Sequence, residues 1–275
     1  MPTFARGSAT IAYSDTGAPP ERADAPAVFF GHALLFSGWM FHPQIAAPKS
    51  QYRCVAIDWR GQGDSPAAND GYDMDTLTDD AVALIESLRV APVHFVGLSM
   101  GGFVGQRIDA RRPELIRTLT LLDTSAGPQR DATKFKLLST VFRVTGIGVL
   151  RKTVLPMVFG PMFRADASNK QVIEEWERRL RRSRRSGISK AVIGVADRLP
   201  VERDRRHPGA TLVIVGADDA TTPPDESRRI VDLIPGARLV TVVDCGHITT
   251  LEQPDTVTEM LRNFLTPAGY RSPTA

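Results

Sequence analysis

Apolar residues along the chain fall into two patterns that alternate. Short runs with little polar interruption recur at 27–31 (AVFFG), 52–58 (YRCVAID), 93–97 (VHFVG), 117–123 (RTLTLLD), 211–216 (TLVIVG) and 238–244 (RLVTVVD). Such runs fit strands covered on both faces, as in a parallel sheet. Residues 9–13 alternate small and apolar side chains and end in Asp15-Thr16-Gly17, which predicts a hairpin strand and a turn. Between the runs the period changes. In 74–89, Leu77, Ala81, Leu84, Ile85 and Leu88 recur at spacings of three and four, one face of a helix. Segments 99–111, 225–233 and 254–265 read the same way; the first starts directly after a strand and stops before Pro113. Strand–helix alternation at this density predicts an α/β fold, a mostly parallel central sheet flanked by helices with right-handed crossovers.

The alternation lapses between Gly127 and Arg206, a stretch that is helix-like and too long for a loop. We therefore expect a core domain made of 1–126 and 207–275, interrupted by a helical cap at 127–206. No internal repeat is visible, and the tail after Thr266 is expected to fray.

Composition narrows the picture. A chain of 275 residues with 42% hydrophobic and 24% charged residues can bury a core without disulfides or metals, and is neither disordered nor a disulfide mini-protein. A net charge of +3 is too small to demand a nucleic-acid partner. The longest apolar candidate, around 140–156, is broken by Arg143, Gly146, Gly148, Arg151 and Lys152, so no membrane span is expected. The N-terminus lacks a basic segment followed by an apolar one, which predicts a cytoplasmic protein. Cys54 lies inside a strand-like run and reads as a reduced structural thiol; with Cys245 it could form one bridge at most.

Gly97-Leu98-Ser99-Met100-Gly101 is a G-x-S-x-G sequence between a predicted strand and a predicted helix. A turn that sharp strains its central residue, and Gly97, Gly101 and Gly102 leave room for it. The Ser99 hydroxyl would then project at a helix N-terminus, where the helix dipole favours a developing oxyanion. A serine nucleophile needs a base and a carboxylate to orient that base. Among the five histidines, His94 lies within a strand, His207 in a charged linker expected to be solvated, and His42 beside Pro43. His247 follows the last strand, at the sheet edge where Ser99 also lies and where ligands gather in open α/β sheets. Three aspartates end strands on that edge: Asp219, its neighbour Asp218, and Asp123.

These residues resemble the α/β-hydrolase superfamily from about Phe4 to Leu265. His32-Ala33-Leu34-Leu35 is similar to its His-Gly-x-x segment, with Ala33 in place of the usual Gly. Asp58-Trp59-Arg60-Gly61-Gln62-Gly63-Asp64-Ser65 is similar to its D-x-R-G-x-G-x-S loop, and 97–102 to its nucleophile elbow. The match of Gly216-Ala217-Asp218-Asp219 through Pro223 to G-x-x-D-x-x-x-P selects Asp219 as the acid. Gly246-His247, then Glu252-Gln253-Pro254, is similar to the end of the fold, with His247 as the base. The resemblance implies a Ser99–His247–Asp219 triad and an oxyanion hole made by the N–H groups of Leu34 and Met100. Within the superfamily, the motifs look most like the 3-oxoadipate enol-lactonase, cofactor-free haloperoxidase and esterase branch.

The resemblance also places the inserted helices over Ser99 as a lid. Phe159 and Phe163, with Trp39 after the oxyanion segment, are the expected wall of an apolar substrate pocket, which would suit an uncharged ester or lactone. Arg178, Arg179, Arg181, Arg182, Arg184 and Arg185 crowd into eight residues. Glu174, Glu175 and Glu177 precede them at helical spacing, so a solvated, ion-paired helix face is expected rather than a nucleic-acid patch. The expected protein is a serine esterase or lactonase needing no cofactor and no metal, with a small-molecule substrate as partner and a homodimer allowed. Perhydrolase, haloperoxidase or lyase chemistry on the same triad, and a non-enzymatic ligand receptor, are the rival readings.

Overall fold

The computed structural model describes residues 1–201 and 207–266. Eight strands form one sheet: β1 (Thr3–Arg6), β2 (Ala9–Asp15), β3 (Ala27–Gly31), β4 (Arg53–Ile57), β5 (Val93–Leu98), β6 (Ile116–Leu122), β7 (Thr211–Gly216) and β8 (Arg238–Val242). Their order is β1-β2-β4-β3-β5-β6-β7-β8. β1 and β2 are antiparallel to each other, and β2 is antiparallel to β4; from β4 onward every pair is parallel. The sequence accounts for the arrangement. β3, β5 and β7 are buried at every position, as uninterrupted apolar runs require when helices cover both faces. β1 left no such signal: most of its residues are exposed, and it pairs only with β2 at the sheet edge.

Helices α1 (His42–Ala46), α2 (Met74–Ser87), α3 (Met100–Arg111), α9 (Pro224–Leu233), α10 (Thr249–Glu252) and α11 (Pro254–Leu265) accompany the sheet. α2 starts where Asp73 accepts the Thr76 N–H at 2.8 Å, an N-cap that satisfies one orphan donor. Phe29 on β3 and Phe95 on β5 stack at the sheet centre with ring centroids 5.6 Å apart.

Between β6 and β7 lie α4 (Ala132–Thr145), α5 (Ile147–Val158), α6 (Pro161–Ala165), α7 (Lys170–Arg182) and α8 (Arg185–Ala196), with no strand among the described residues of this stretch. α4 and α8 pack together, tied by the Ser139 hydroxyl on the Ser189 carbonyl at 2.9 Å. On α7 three arginines pair with glutamates of their own helix: Arg178 and Arg179 both reach Glu175, at 2.6 and 2.5 Å, and Arg181 reaches Glu177 at 3.7 Å. The expected ion-paired face is present, although Glu175 rather than Glu174 receives Arg178. The expected end of the insertion at 206 and the tail after Thr266 fall outside the described residues. The side chain of His207, expected to be solvated, is instead buried and paired with the fully buried Asp109 of α3. Charged neighbours in sequence suggested water; the fold supplies a carboxylate. No described helix is long and apolar enough to cross a membrane.

Candidate active site

Parallel strands all point their carboxyl ends to one edge, and the loops leaving that edge build the site. β5 runs straight into α3 through Ser99, whose φ of 51° and ψ of −110° lie in a strained region for a non-glycine residue. The turn is held because the Ser99 N–H donates to the Leu122 carbonyl at 2.8 Å. Glycine is obligatory beside it: a Cβ on Gly97 would come within 2.4 Å of the Gly101 carbonyl oxygen, and one on Gly101 within 1.9 Å of that of Gly31.

His247 follows β8, and its Nε2 lies 3.0 Å from Ser99 Oγ. Its Nδ1 lies 2.8 Å from Asp219 Oδ2. A carboxylate can only accept, so Nδ1 carries the proton and Nε2 is left to accept from the serine hydroxyl. Asp219 is itself fixed: Oδ1 accepts the N–H groups of Thr221 and Thr222 at 2.8 and 2.9 Å, and Oδ2 accepts the Thr222 hydroxyl at 2.8 Å. The chain of bonds can pass a proton from Ser99 to His247 while Asp219 holds the ring. Burial pushes the His247 imidazole toward neutrality. The adjacent Asp219 charge and hydrogen bond, with Asp123 and Glu252 behind, outweigh it and raise its pKa above 6.5.

The other two aspartates separate cleanly. Asp218 is exposed. Asp123 is fully buried but spends its oxygens elsewhere: Oδ1 accepts the Gly216 N–H at 2.9 Å, and Oδ2 the Thr249 hydroxyl at 2.6 Å. Burial, then repulsion from Asp219, holds the Asp123 carboxyl well above the usual carboxylate range. Asp123 therefore staples β7 to α10 behind the histidine.

The segment after β3 faces Ser99 from the other side. Ala33 has no positive φ, so its methyl is accommodated where glycine was expected. Leu35 takes the left-handed conformation instead, at φ 70°. Both its peptide groups are pinned, the N–H by Gln62 Oε1 at 2.8 Å and the carbonyl by the Trp176 indole N–H at 3.2 Å. His32 locks the base of the segment. Its Nε2 accepts the Trp59 N–H at 3.0 Å, so its Nδ1 donates to the Ala33 carbonyl at 2.7 Å. Burial drives the His32 pKa down to about 3, which keeps this tautomer neutral.

Ser99 and His247 open into a cavity of about 80 Å³. Most of its remaining wall comes from Leu34, Leu35 and Phe103 of the body and from apolar side chains of α4, α5 and α8, among them Phe135, Phe142, Leu150, Val154 and Val192. Trp39, Phe159 and Phe163 are not among these lining residues. Phe159 and Phe163 stack on each other at 5.2 Å and Phe159 meets Trp176 edge-on at 5.7 Å, forming a buried aromatic cluster. Trp39 lies over Phe36 and beneath the Arg179 guanidinium, facing a separate groove. The aromatics were large enough to be packing, and packing is where the fold uses them.

Glu252 had no role in the sequence reading beyond its place in a motif. In the structure it is buried, and Oε2 accepts the N–H groups of both Gly160 and Gly246, at 3.0 and 2.8 Å. It joins the start of α6 to the loop that carries His247. A carboxylate placed five residues after a site histidine was the available signal.

A family model described as the alpha/beta hydrolase family matches residues 28–260, and the chain belongs to that family. Among its relatives is a Mycobacterium tuberculosis H37Rv protein that carries a non-heme bromoperoxidase name, BpoC, 30% identical over 270 residues and covering 92% of this chain and 97% of its own. 3-Oxoadipate enol-lactonase 2 of Acinetobacter baylyi is 27% identical, covering 85% of this chain and 86% of its own. The enol-lactonase from Burkholderia xenovorans LB400 superposes with a TM-score of 0.86 at 26% identity, over 96% of this chain and 99% of that one.

Proposed function

We propose that the protein is a serine hydrolase cleaving a carboxylic ester or lactone of a small, largely apolar substrate. The observation that carries this reading is the bonded series Ser99–His247–Asp219 opening into a cavity walled mainly by apolar side chains. Relatives named as enol-lactonases support it. Ser99 Oγ attacks the carbonyl carbon as His247 Nε2 takes its proton, and Asp219 stabilises the imidazolium that results. The tetrahedral oxyanion is received by the N–H groups of Leu34 and Met100. Met100 heads α3, so its N–H has no intrahelical acceptor to satisfy. His247 then protonates the leaving alkoxide. Water, deprotonated by the same imidazole, releases the acid and restores Ser99. In this reading α4–α8 act as the cap: they supply most of the cavity wall and keep bulk water from the acyl-enzyme.

Intact-mass labelling with a fluorophosphonate probe tests the assignment. One adduct is expected on the wild type, and none on Ser99→Ala or His247→Ala. An adduct that survives on Ser99→Ala, or no adduct on folded wild-type protein, overturns it. The bromoperoxidase-named relative gives peroxide chemistry second place: hydrogen peroxide replacing water at the acyl-enzyme would release a peracid and free Ser99. Peracid formed from acetate and hydrogen peroxide, lost in Ser99→Ala, would establish it.

A further inference from the structure

Among the described residues five polar ones line the cavity, and four of them are already engaged. Ser99 and His247 bond each other, Thr222 serves Asp219, and Thr221 gives its N–H to Asp219 and its hydroxyl to the Met157 carbonyl at 2.6 Å. The fifth, Gln129, stands apart on the loop between β6 and α4. Behind it lies Arg198, only 6% exposed. An arginine buried to that degree is costly to keep, and this one is held by neutral groups: Nη2 donates to Ser125 Oγ at 3.0 Å, Nη1 donates to the Val195 carbonyl at 3.2 Å, and the guanidinium lies 4.0 Å over the Phe103 ring. Nη1 also donates to Gln129 Oε1. A guanidinium has donors and no acceptor, so the Gln129 atom facing it must be the oxygen. The amide cannot flip, and its NH₂ is the end left for the cavity.

We infer that Gln129 is a specificity-determining residue: its Nε2 donates to an uncharged oxygen, a keto or ether group, on the acyl chain of the substrate. The inference rests on the serine-hydrolase reading and names the substrate class of that site. The cavity volume of about 80 Å³ takes about five to eight water-sized groups at ~10–15 Å³ each, so the chain is short to medium. A carboxylate does not fit. Among the described residues no Lys or Arg lines the cavity, Arg198 is covered by Phe103 and Gln129, and one amide donor does not replace the water a carboxylate loses.

The test uses three p-nitrophenyl esters of nearly equal shape: 5-oxohexanoate, 5-methylhexanoate and the glutarate half-ester. A second set moves the oxo or methyl group to carbon 6 of a heptanoate. Wild type should favour a keto ester over its branched partner in kcat/KM, and both over the half-ester. Gln129→Leu removes the donor. Gln129→Glu removes it while keeping the shape and giving Arg198 a charged partner, so loss of fold cannot mimic the result. In both variants the keto-to-branched ratio should fall by about tenfold, the size of one good hydrogen bond. No keto preference in the wild type at either position overturns the inference. So does a preference that persists in both variants, or a half-ester that is the best substrate. Fluorophosphonate labelling of the same three proteins separates the two readings. Adducts on all three with unchanged ester ratios refute the role of Gln129 alone; no adduct on any refutes the serine-hydrolase reading beneath it.

Discussion

The loops at the carboxyl edge of the sheet and the inner faces of α4, α5 and α8 enclose the same cavity, yet they are built by opposite rules. At the sheet edge the polar side chains of the site answer to hydrogen bonds of fixed length. Ser99 is strained and held, Asp219 accepts four donors, and Asp123 and Glu252 bolt the histidine loop to its neighbours. On the helical side the wall is apolar and non-directional, and many side chains of similar volume would fill it. Directional bonds tolerate little substitution, so they fix the chemistry. Non-directional packing tolerates much, so it sets the size and shape the cavity admits.

That contrast makes graded predictions. The largest effect belongs to the bonded edge. Asp219→Asn should lower kcat by about 10³–10⁴-fold, because an amide facing Nδ1 favours the wrong imidazole tautomer, and Ser99→Ala should cost still more. Steady-state hydrolysis of p-nitrophenyl butyrate measures both; a silent Asp219→Asn would break the comparison at its strongest point. Next is pH. The base must be neutral, and its neighbours raise the His247 pKa above 6.5. kcat/KM should therefore fall about tenfold per unit on the acid side of an apparent pKa above 6.5. An acid limb centred below 6.5 would mean that burial, not the carboxylates, governs the imidazole. The smallest effect belongs to the packed wall. Val154→Ala should enlarge the cavity and raise the ratio of octanoate to butyrate turnover by about tenfold, near the worth of one methylene. An unchanged ratio would place the acyl chain elsewhere.

Legibility in the sequence follows the same division. The strands and flanking helices could be read because burial on both faces and helical periodicity leave marks along the chain. β1 could not, since an exposed edge strand needs no apolar pattern. Ser99 and His247 stood out because backbone strain and strand ends restrict which residues can occupy those turns, and Asp219 through the resemblance of 216–223 to the family's motif. Asp123 and Asp219 both follow buried strands, and burial alone does not separate them; in space the bond to Nδ1 does, and a bond between residues far apart in sequence has no local signature. In the sequence Trp39, Phe159 and Phe163 suggest pocket wall because they are large and apolar. Whether such a ring faces a cavity or another ring depends on how the helices cross, and periodicity along one helix is silent about its neighbours. Gln129 escaped notice for the same reason, its orientation being set by an arginine 69 positions away.

Among the bonds that join the helical segment to the loops beneath it are the Trp176 indole on the Leu35 carbonyl and the Gly160 N–H on Glu252. One ends on the loop after β3, the other beside the loop that carries His247. The helices are therefore not an interchangeable module. A chimera that receives this segment from a relative gains the donor's substrate range only if the graft also carries a hydrogen-bond donor above Leu35 and a backbone N–H above Glu252. Without them the transplanted helices would fold as a foreign roof over loops that had lost their upper anchors.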